Sequence, residues 1–182
     1  AEAQREEWRT LVRMAAETGF NAIVLQVRPT ADALYRTKRE PWSQYLTGRQ
    51  GGDPGYDPLA FAIEEAHRAG LQLHAWFNPF RARVESSAPA TDLHVTRRRP
   101  EWVRNYGKLT WMDPGIPAVR EWVLETIAEV VRNYDIDGVH LDDYFYPYPI
   151  RDSRGARLDF PDSATWTVHG GGRNLSDWRR DN

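Results

Sequence analysis

The sequence predicts an α/β fold built on parallel strands, and within that class a partial (β/α)8 TIM barrel. Three apolar strand-like segments alternate with helix-like segments along the 182 residues, which is the order of parallel βαβ units. The long, irregular connections all follow strands, whereas the turns that lead from a helix into a strand are short. Elaborate loops at one end only are typical of a barrel. A doubly wound open sheet is the alternative, but no glycine-rich phosphate-binding turn follows any of the three strands.

The first helix is predicted over residues 3–18, where Leu11 and Ala15 lie one helical turn apart on an apolar face. Residues 21–28 form the first predicted strand, because they are apolar and rich in β-branched side chains. The remaining predicted elements are a loop over 29–56, a helix from Asp57 to Gly70, a strand over 71–78, an irregular stretch over 79–114 with a short helix near 101–106, a helix from Pro117, a strand over 139–141, a loop over 144–176 and a helix start at 176.

Three parallel strands cannot close a barrel on their own. We therefore expect residues 1–182 to be a fragment of one barrel domain, truncated at both ends, that holds about strands two to four with their helices. Such a piece would expose the edges of its sheet.

The composition excludes several classes of protein. A net charge of −2 gives no sign of a nucleic-acid partner, and no apolar stretch approaches the roughly 18–20 residues of a membrane-spanning segment. The chain has no cysteine, so disulfides and cysteine-based metal sites are excluded. The oligomeric state is left open.

Polar side chains gather at the carboxyl ends of the three strands. Neighbouring residues of a strand point to opposite faces, so the apolar residues that pack under helices leave an inward-facing set. That set consists of Gln26 and Arg28 on the first strand, His74, Trp76 and Asn78 on the second, and His140 and Asp142 on the third. Because all of them point toward one rim, we expect them to form a site for a polar ligand.

Asp142 is the predicted catalytic carboxylate. Glycoside hydrolysis needs two carboxyl groups, one as acid and the other as nucleophile or base. We expect Arg28 or a histidine to keep Asp142 ionised. Asp143 faces the other way by alternation and is expected to cap the following loop, but a bulge at the strand end would turn it into the site. It therefore stands as the second catalytic candidate.

Two tyrosines of the loop after the third strand, Tyr144 and Tyr146, are predicted to contact substrate, because sugar rings stack on aromatic faces. His74, His140 and Asp142 would alternatively make a metal-binding set. Adjacent aspartates cannot both point inward without a bulge, which disfavours that alternative, and no metal site is predicted.

The chain resembles the glycosyl-hydrolase-like 10 family of bacterial proteins, which is distantly related to amylase-type barrels. The resemblance rests on Phe20-Asn21 through Val27-Arg28-Pro29, Pro41-Trp42-Ser43, Leu46-Thr47-Gly48, Gly55-Tyr56-Asp57-Pro58-Leu59, Glu65-Ala66-His67, His74-Ala75-Trp76-Phe77-Asn78-Pro79, Asp113-Pro114-Gly115, Asp137-Gly138, Asp142-Asp143-Tyr144-Phe145-Tyr146-Pro147 and Asp177-Trp178-Arg179-Arg180.

The resemblance implies a TIM barrel that hydrolyses a glycan, with bacterial cell-wall (peptidoglycan) strands as the expected substrate. No cofactor is expected. It also implies an exported, periplasmic or cell-surface protein. In amylase-type barrels the aspartate that ends a Gly-x-x-Leu-Asp strand is the nucleophile, and by similarity this role falls on Asp142. The second carboxylate is expected outside this chain. Two alternatives stay open: a metal-dependent polysaccharide deacetylase and a non-catalytic glycan-binding barrel.

Overall fold

A computed structural model describes residues 1–142 and 145–182, and within them the chain forms a mixed α/β fold. The helices are α1 (Glu2–Glu17), α2 (Gln44–Thr47), α3 (Pro58–Arg68), α4 (Val95–Arg98), α5 (Pro117–Asn133), α6 (Ser163–His169) and α7 (Leu175–Arg180), and a 3₁₀ turn covers Pro100–Trp102. The strands are β1 (Ala22–Arg28), β2 (Gln72–Phe77), β3 (Arg81–Arg83), β4 (Val103–Tyr106), β5 (Leu109–Met112), β6 (Gly138–Leu141), β7 (Ile150–Arg151) and β8 (Arg157–Leu158).

The central sheet of the described residues contains β1, β2 and β6 in that order, and both pairings are parallel. A long helix precedes each strand, namely α1, α3 and α5. The predicted alternation of helices and parallel strands is therefore confirmed, and so is the α/β class. Closure of these strands into a (β/α)8 barrel stays a prediction.

Glycines make the short turns that lead from α1 to β1 and from α3 to β2. Gly19 follows α1 at φ +88° and Gly70 follows α3 at φ +74°. This left-handed conformation is unfavourable for residues with a Cβ atom, and it ends a helix within one residue. Strands β1 and β2 consequently begin soon after the preceding helices end, with only residues 18–21 and 69–71 between them.

The main core lies between the helices and one face of the parallel sheet. Val27, Leu73, Ala75 and Phe77 are fully buried there, as the alternation predicts. The same face of β6 is less covered, since Val139 is 41 % and Leu141 is 42 % exposed. Among the described residues, no helix is both long and apolar enough to cross a bilayer.

A second sheet, which we call the rim sheet, follows β2 and has the antiparallel order β3-β5-β4. The short helix predicted near residues 101–106 is wrong, because the 3₁₀ turn leads directly into strand β4. A two-residue turn joins Tyr106 to its partner Leu109, and Gly107 adopts φ +61° in it. Such a turn favours a hairpin and leaves no room for another helical turn.

The segment predicted as loop over 144–176 also contains regular structure. Strands β7 and β8 form a hairpin, and α6 lies between that hairpin and α7. Two contacts fix this C-terminal part. The Trp178 ring, 1 % exposed, lies against Gly115, where a Cβ atom would overlap it. Asp162 accepts a 2.8 Å hydrogen bond from Nε of Arg179.

Candidate active site at the carboxyl ends of the parallel strands

Gln26, Trp76 and His140 lie side by side on the three parallel strands. Gln26 pairs with Trp76, and Trp76 pairs with His140. The Trp76 and His140 rings meet edge to face, with centroids 5.9 Å apart and planes at 83°. The structure thus brings three of the predicted site residues into one row, on the face opposite the helix-packed core.

Asp142 and Asn78 follow that row toward the carboxyl ends of the strands. Leu141 pairs with Phe77, so the next residue of each strand, Asp142 and Asn78, continues the register. Asn78 is fully buried, and its Oδ1 accepts a 3.0 Å hydrogen bond from the backbone N–H of Arg81. This bond fixes which end of the amide remains available, namely the Nδ2 group.

Four polar atoms of these residues are buried but have no hydrogen-bond partner within the described residues. They are Gln26 Nε2, Trp76 Nε1, Asn78 Nδ2 and Asp142 Oδ1. Buried polar atoms in proteins are nearly always paired, since leaving one unpaired costs about 1–3 kcal/mol. These three N–H groups and one carboxylate oxygen could therefore bind a ligand that carries several hydroxyl or amide groups.

Arg28 does not serve the site as the sequence suggested. A register shift between Gln26 and Arg28 places Arg28 opposite Phe77, so the simple alternation breaks at Val27. Its guanidinium binds Glu40 through two bonds, Nε–Oε2 at 2.7 Å and Nη2–Oε1 at 2.6 Å. The expectation that Arg28 neutralises Asp142 is wrong, because the charge of Arg28 is already balanced by the carboxylate of Glu40.

All five N–H donors of Arg28 have partners. Besides the two bonds to Glu40, Nη1 donates to the carbonyls of Asn78 at 2.7 Å and Pro79 at 2.9 Å, and Nη2 contacts Met112 Sδ at 3.7 Å. Burial acts to lower the pKa of Arg28, but the Glu40 carboxylate outweighs it and the pKa lies above its ordinary value. With 0 % exposure, Arg28 has no donor left for a substrate, and its role is to hold the end of β2.

His74 lies one layer below the row of Trp76. It pairs with Gly138, and its ring covers that glycine so closely that a Cβ atom there would lie 2.8 Å from Nδ1. Among residues 1–142 and 145–182, no three His, Asp or Glu side chains converge as metal ligands do. The alternative metal set of His74, His140 and Asp142 is therefore not assembled in this structure.

Tyr146 belongs to a different cluster from the one predicted. Its ring meets Phe160 edge to face at 5.4 Å and lies under the Arg179 guanidinium at 5.7 Å. Burial is the main cause that raises the pKa of Tyr146 above its ordinary value. It lines a cleft that involves β8 and α7. Asp143 and Tyr144, the other two predicted site residues, lie outside the described residues.

Glu40 is the important residue that the sequence did not single out. It is 3 % exposed, and Trp122 Nε1 of α5 donates to its Oε1 at 3.1 Å, in addition to the two bonds from Arg28. The only signal was indirect: a buried arginine requires a carboxylate. Glu40 sits in an irregular loop, so no periodicity could mark it as that carboxylate.

Comparison with known proteins adds the family context. The model of the family described as Glycosyl hydrolase-like 10 matches residues 3–182. The protein named Glycosyl hydrolase YngK of Bacillus subtilis (strain 168) is 48 % identical over 187 aligned residues, which cover 98 % of this chain and 35 % of that protein. The protein named Glycosyl hydrolase DigH of Escherichia coli (strain K12) is 42 % identical over 178, covering 90 % and 38 %.

The chain thus spans about a third of the length of these relatives. Among solved structures, α-L-fucosidase isoenzyme 2 from Paenibacillus thiaminolyticus superposes with a TM-score of 0.59 at 17 % identity. The match covers 97 % of this chain and 24 % of that one. At this identity the likeness shows a shared fold.

Proposed function

The chain belongs to the glycosyl hydrolase-like 10 family, and from that premise we propose that it carries part of the active site of a glycoside hydrolase. The proposed substrate is the glycan strand of bacterial peptidoglycan, and Asp142 is the proposed catalytic carboxylate. The observation that carries the proposal is the position of Asp142. Its Oδ1 is buried without a partner in the described residues, at the end of β6 and next in register to Asn78.

The surroundings of Asp142 suit a sugar. Trp76 and His140 offer ring surfaces on the same face of the sheet, and the N–H groups of Gln26, Trp76 and Asn78, which have no partner in the described residues, offer donors to hydroxyl or acetamido oxygens. Asp142 would act as nucleophile or base, and the acid that protonates the leaving oxygen would be a second carboxyl group. Asp143 stays a predicted candidate for catalysis, outside the described residues.

The proposal includes completion of the barrel by further strands. β1 and β6 are the edges of the parallel sheet in the described residues, and Val139 and Leu141 of β6 are partly exposed on the helix-facing side. Edge strands of parallel sheets are normally covered. We also propose, from the family resemblance, that the protein is exported to the periplasm or cell surface, which fractionation of the producing cells would test.

Asp142→Asn in the full-length protein tests the catalytic role. We expect the release of new reducing ends from peptidoglycan to fall by roughly a thousandfold or more, with an unchanged circular dichroism spectrum. Asp135→Asn is the matched control, because the Asp135 side chain is 96 % exposed. The control should cleave like the parent protein.

Three results would contradict the proposal in different ways. Near-parental turnover by Asp142→Asn would remove Asp142 from the chemistry. A parent protein that binds peptidoglycan without ever releasing reducing ends would instead be a glycan-binding module. Loss of activity on chelation and its recovery with zinc would favour deacetylation.

A further inference from the structure

Asn78 has one hydrogen-bonding group that no other described residue uses. Its backbone N–H donates to the Arg28 carbonyl at 2.9 Å, and its backbone carbonyl accepts from Arg28 Nη1 at 2.7 Å. Its side-chain Oδ1 accepts from the Arg81 N–H at 3.0 Å. The Nδ2 group is buried without a partner in the described part of the chain, and the whole residue is buried.

These bonds hold the Asn78 amide in one orientation. A half-turn of the amide would take Oδ1 away from the Arg81 N–H, so Nδ2 keeps its direction. The backbone of Asn78 is fixed through Arg28, which Glu40 binds with two hydrogen bonds. Buried N–H groups are nearly always paired in proteins. A buried N–H group that is held so firmly and left free is therefore a candidate to bind a ligand.

Asp142 is the neighbour of Asn78 on the next strand. Phe77 pairs with Leu141, so Asn78 and Asp142 follow in register, and the bond from the Asn78 N–H to β1 continues the sheet. Paired residues of parallel strands project to the same face, which here is the face of the Trp76 ring. Asp142 Oδ1 is also buried without a partner in the described residues. A free donor and a free acceptor thus lie on neighbouring strands.

The spacing of the two strands suits a single hydroxyl group between Asn78 and Asp142. Neighbouring strands lie about 4.7–4.9 Å apart, which is longer than a direct hydrogen bond of about 2.9 Å. One oxygen atom that accepts such a bond and donates another joins two atoms about 4.5–5 Å apart. A hydroxyl group can do both, whereas a carbonyl oxygen can only accept. The pair therefore matches a sugar hydroxyl better than an acetamido oxygen.

We infer that Asn78 and Asp142 bind the same hydroxyl group of the substrate, and that Asn78 thereby sets the orientation of the catalytic carboxylate. This inference rests on the proposed function. Asn78 Nδ2 donates to the hydroxyl oxygen, and the hydroxyl proton is donated to Asp142 Oδ1. The bound hydroxyl then fixes the plane of the carboxylate and leaves its second oxygen, Oδ2, for the reaction.

Asn78→Asp in the full-length protein tests this inference through the release of reducing ends from peptidoglycan. At pH 7 the introduced carboxylate still accepts from the Arg81 N–H but has no proton to donate. We expect kcat to fall about a hundredfold, the cost of a misplaced reacting group. A protonated carboxyl group regains an O–H donor. The ratio of the variant's kcat to the parent's should therefore rise about tenfold between pH 7 and pH 5.

Asn78→Ser is the second variant, and it decides the matter if Asn78→Asp does not fold. Its hydroxyl oxygen keeps an acceptor near the Arg81 N–H but is too short to replace Nδ2. We expect a similar loss of kcat at pH 7 and no recovery at pH 5. Circular dichroism at both pH values shows whether each variant is folded. A purely structural role of Asn78 would not produce the pH-dependent difference between the two variants.

Asn21→Asp is the matched control, because Asn21 is an exposed asparagine just before β1, at the opposite end of the sheet. It should cleave like the parent at both pH values. Parental kcat in Asn78→Ser, or a folded Asn78→Asp whose loss is the same at pH 5 and pH 7, would overturn the inference alone. A parent that releases no reducing ends would overturn the proposed hydrolysis and this inference with it.

Discussion

Arg28 and Glu40 form a bidentate ion pair that is shielded from solvent, with 0 % and 2 % of their side chains exposed. The pair joins the end of β1 to its following loop, and it reaches β2 through the Asn78 and Pro79 carbonyls. Trp122 adds α5 to the same network. The position of Asn78 at the candidate site therefore depends on Arg28. The guanidinium of Arg28 binds the backbone carbonyl of Asn78.

Removal of one partner of this pair should be costly. We expect Glu40→Gln to lower the free energy of unfolding by about 3–5 kcal/mol, because it leaves a buried guanidinium without a counter-charge. Urea titration followed by tryptophan fluorescence measures the change. In the exposed Lys108–Glu85 pair, whose side chains are 77 % and 66 % exposed, Glu85→Gln should cost less than about 1 kcal/mol. Equal costs would show that burial of the Arg28–Glu40 pair has no energetic consequence.

His94 should make stability depend on pH. It is fully buried, its Nε2 donates to the Thr30 carbonyl at 3.0 Å, and its Nδ1 accepts from the Thr96 N–H at 3.3 Å. Burial lowers the pKa of His94 below its ordinary value of 6.5, so the unfolded chain binds a proton more readily than the folded one. The stability that neutral His94 contributes is therefore complete above pH 6.5 and is lost as the pH falls below it.

The measurement is the free energy of unfolding of the parent and of His94→Gln at several pH values between 5 and 8. The parent should lose stability toward pH 5 more steeply than the variant, with an excess slope of at most about 1.4 kcal/mol per pH unit for one group. Parallel curves would contradict the assignment of this dependence to His94.

Trp76→Phe separates ligand binding from stability. The substitution keeps a ring beside His140 and removes an N–H that is buried without a partner in the described residues. Glycan affinity should fall about three- to tenfold, whereas stability should not fall. Trp122→Phe is the complementary variant. The N–H of Trp122 donates to Glu40, so the loss of this N–H should reduce stability. A Trp76→Phe protein that binds glycan like the parent would exclude this N–H from recognition.

Gly138→Ala tests the packing of His74 against Gly138, the pair that precedes Trp76 and His140 along the strands. The new Cβ atom would lie 2.8 Å from Nδ1 and 2.9 Å from Cε1 of His74, so we expect a loss of about 1–3 kcal/mol in unfolding free energy. In a His74→Ala background the same substitution should cost much less, which a double-mutant cycle measures. Additive costs would show that the imidazole is not what opposes the methyl group.

The sequence predicts the parallel sheet well, because its strands are apolar and follow helices, two of which end at a glycine. The period of two also brings Gln26, Trp76 and His140 to one face, as observed. It fails at Arg28, because a bulge inserts one residue without leaving a mark in the apolar–polar pattern.

The partner of Arg28 could not be predicted for a related reason. Glu40 lies 12 residues away in an irregular loop, and only tertiary packing brings it to β1. The sequence does not predict the rim sheet, and its one local signal is the hairpin turn of Gly107 and Lys108. Residues 101–106 carry no strong helical or strand period of their own, and pairing with β5 makes residues 103–106 a strand.

The contact of Trp178 with Gly115 has a consequence for which residues position 115 can accept. A Cβ atom at position 115 would overlap the Trp178 ring, so any residue other than glycine would push the indole out of its buried position. Positions 115 and 178 are therefore coupled: a larger residue at 115 is expected to be tolerated only together with a smaller side chain at 178.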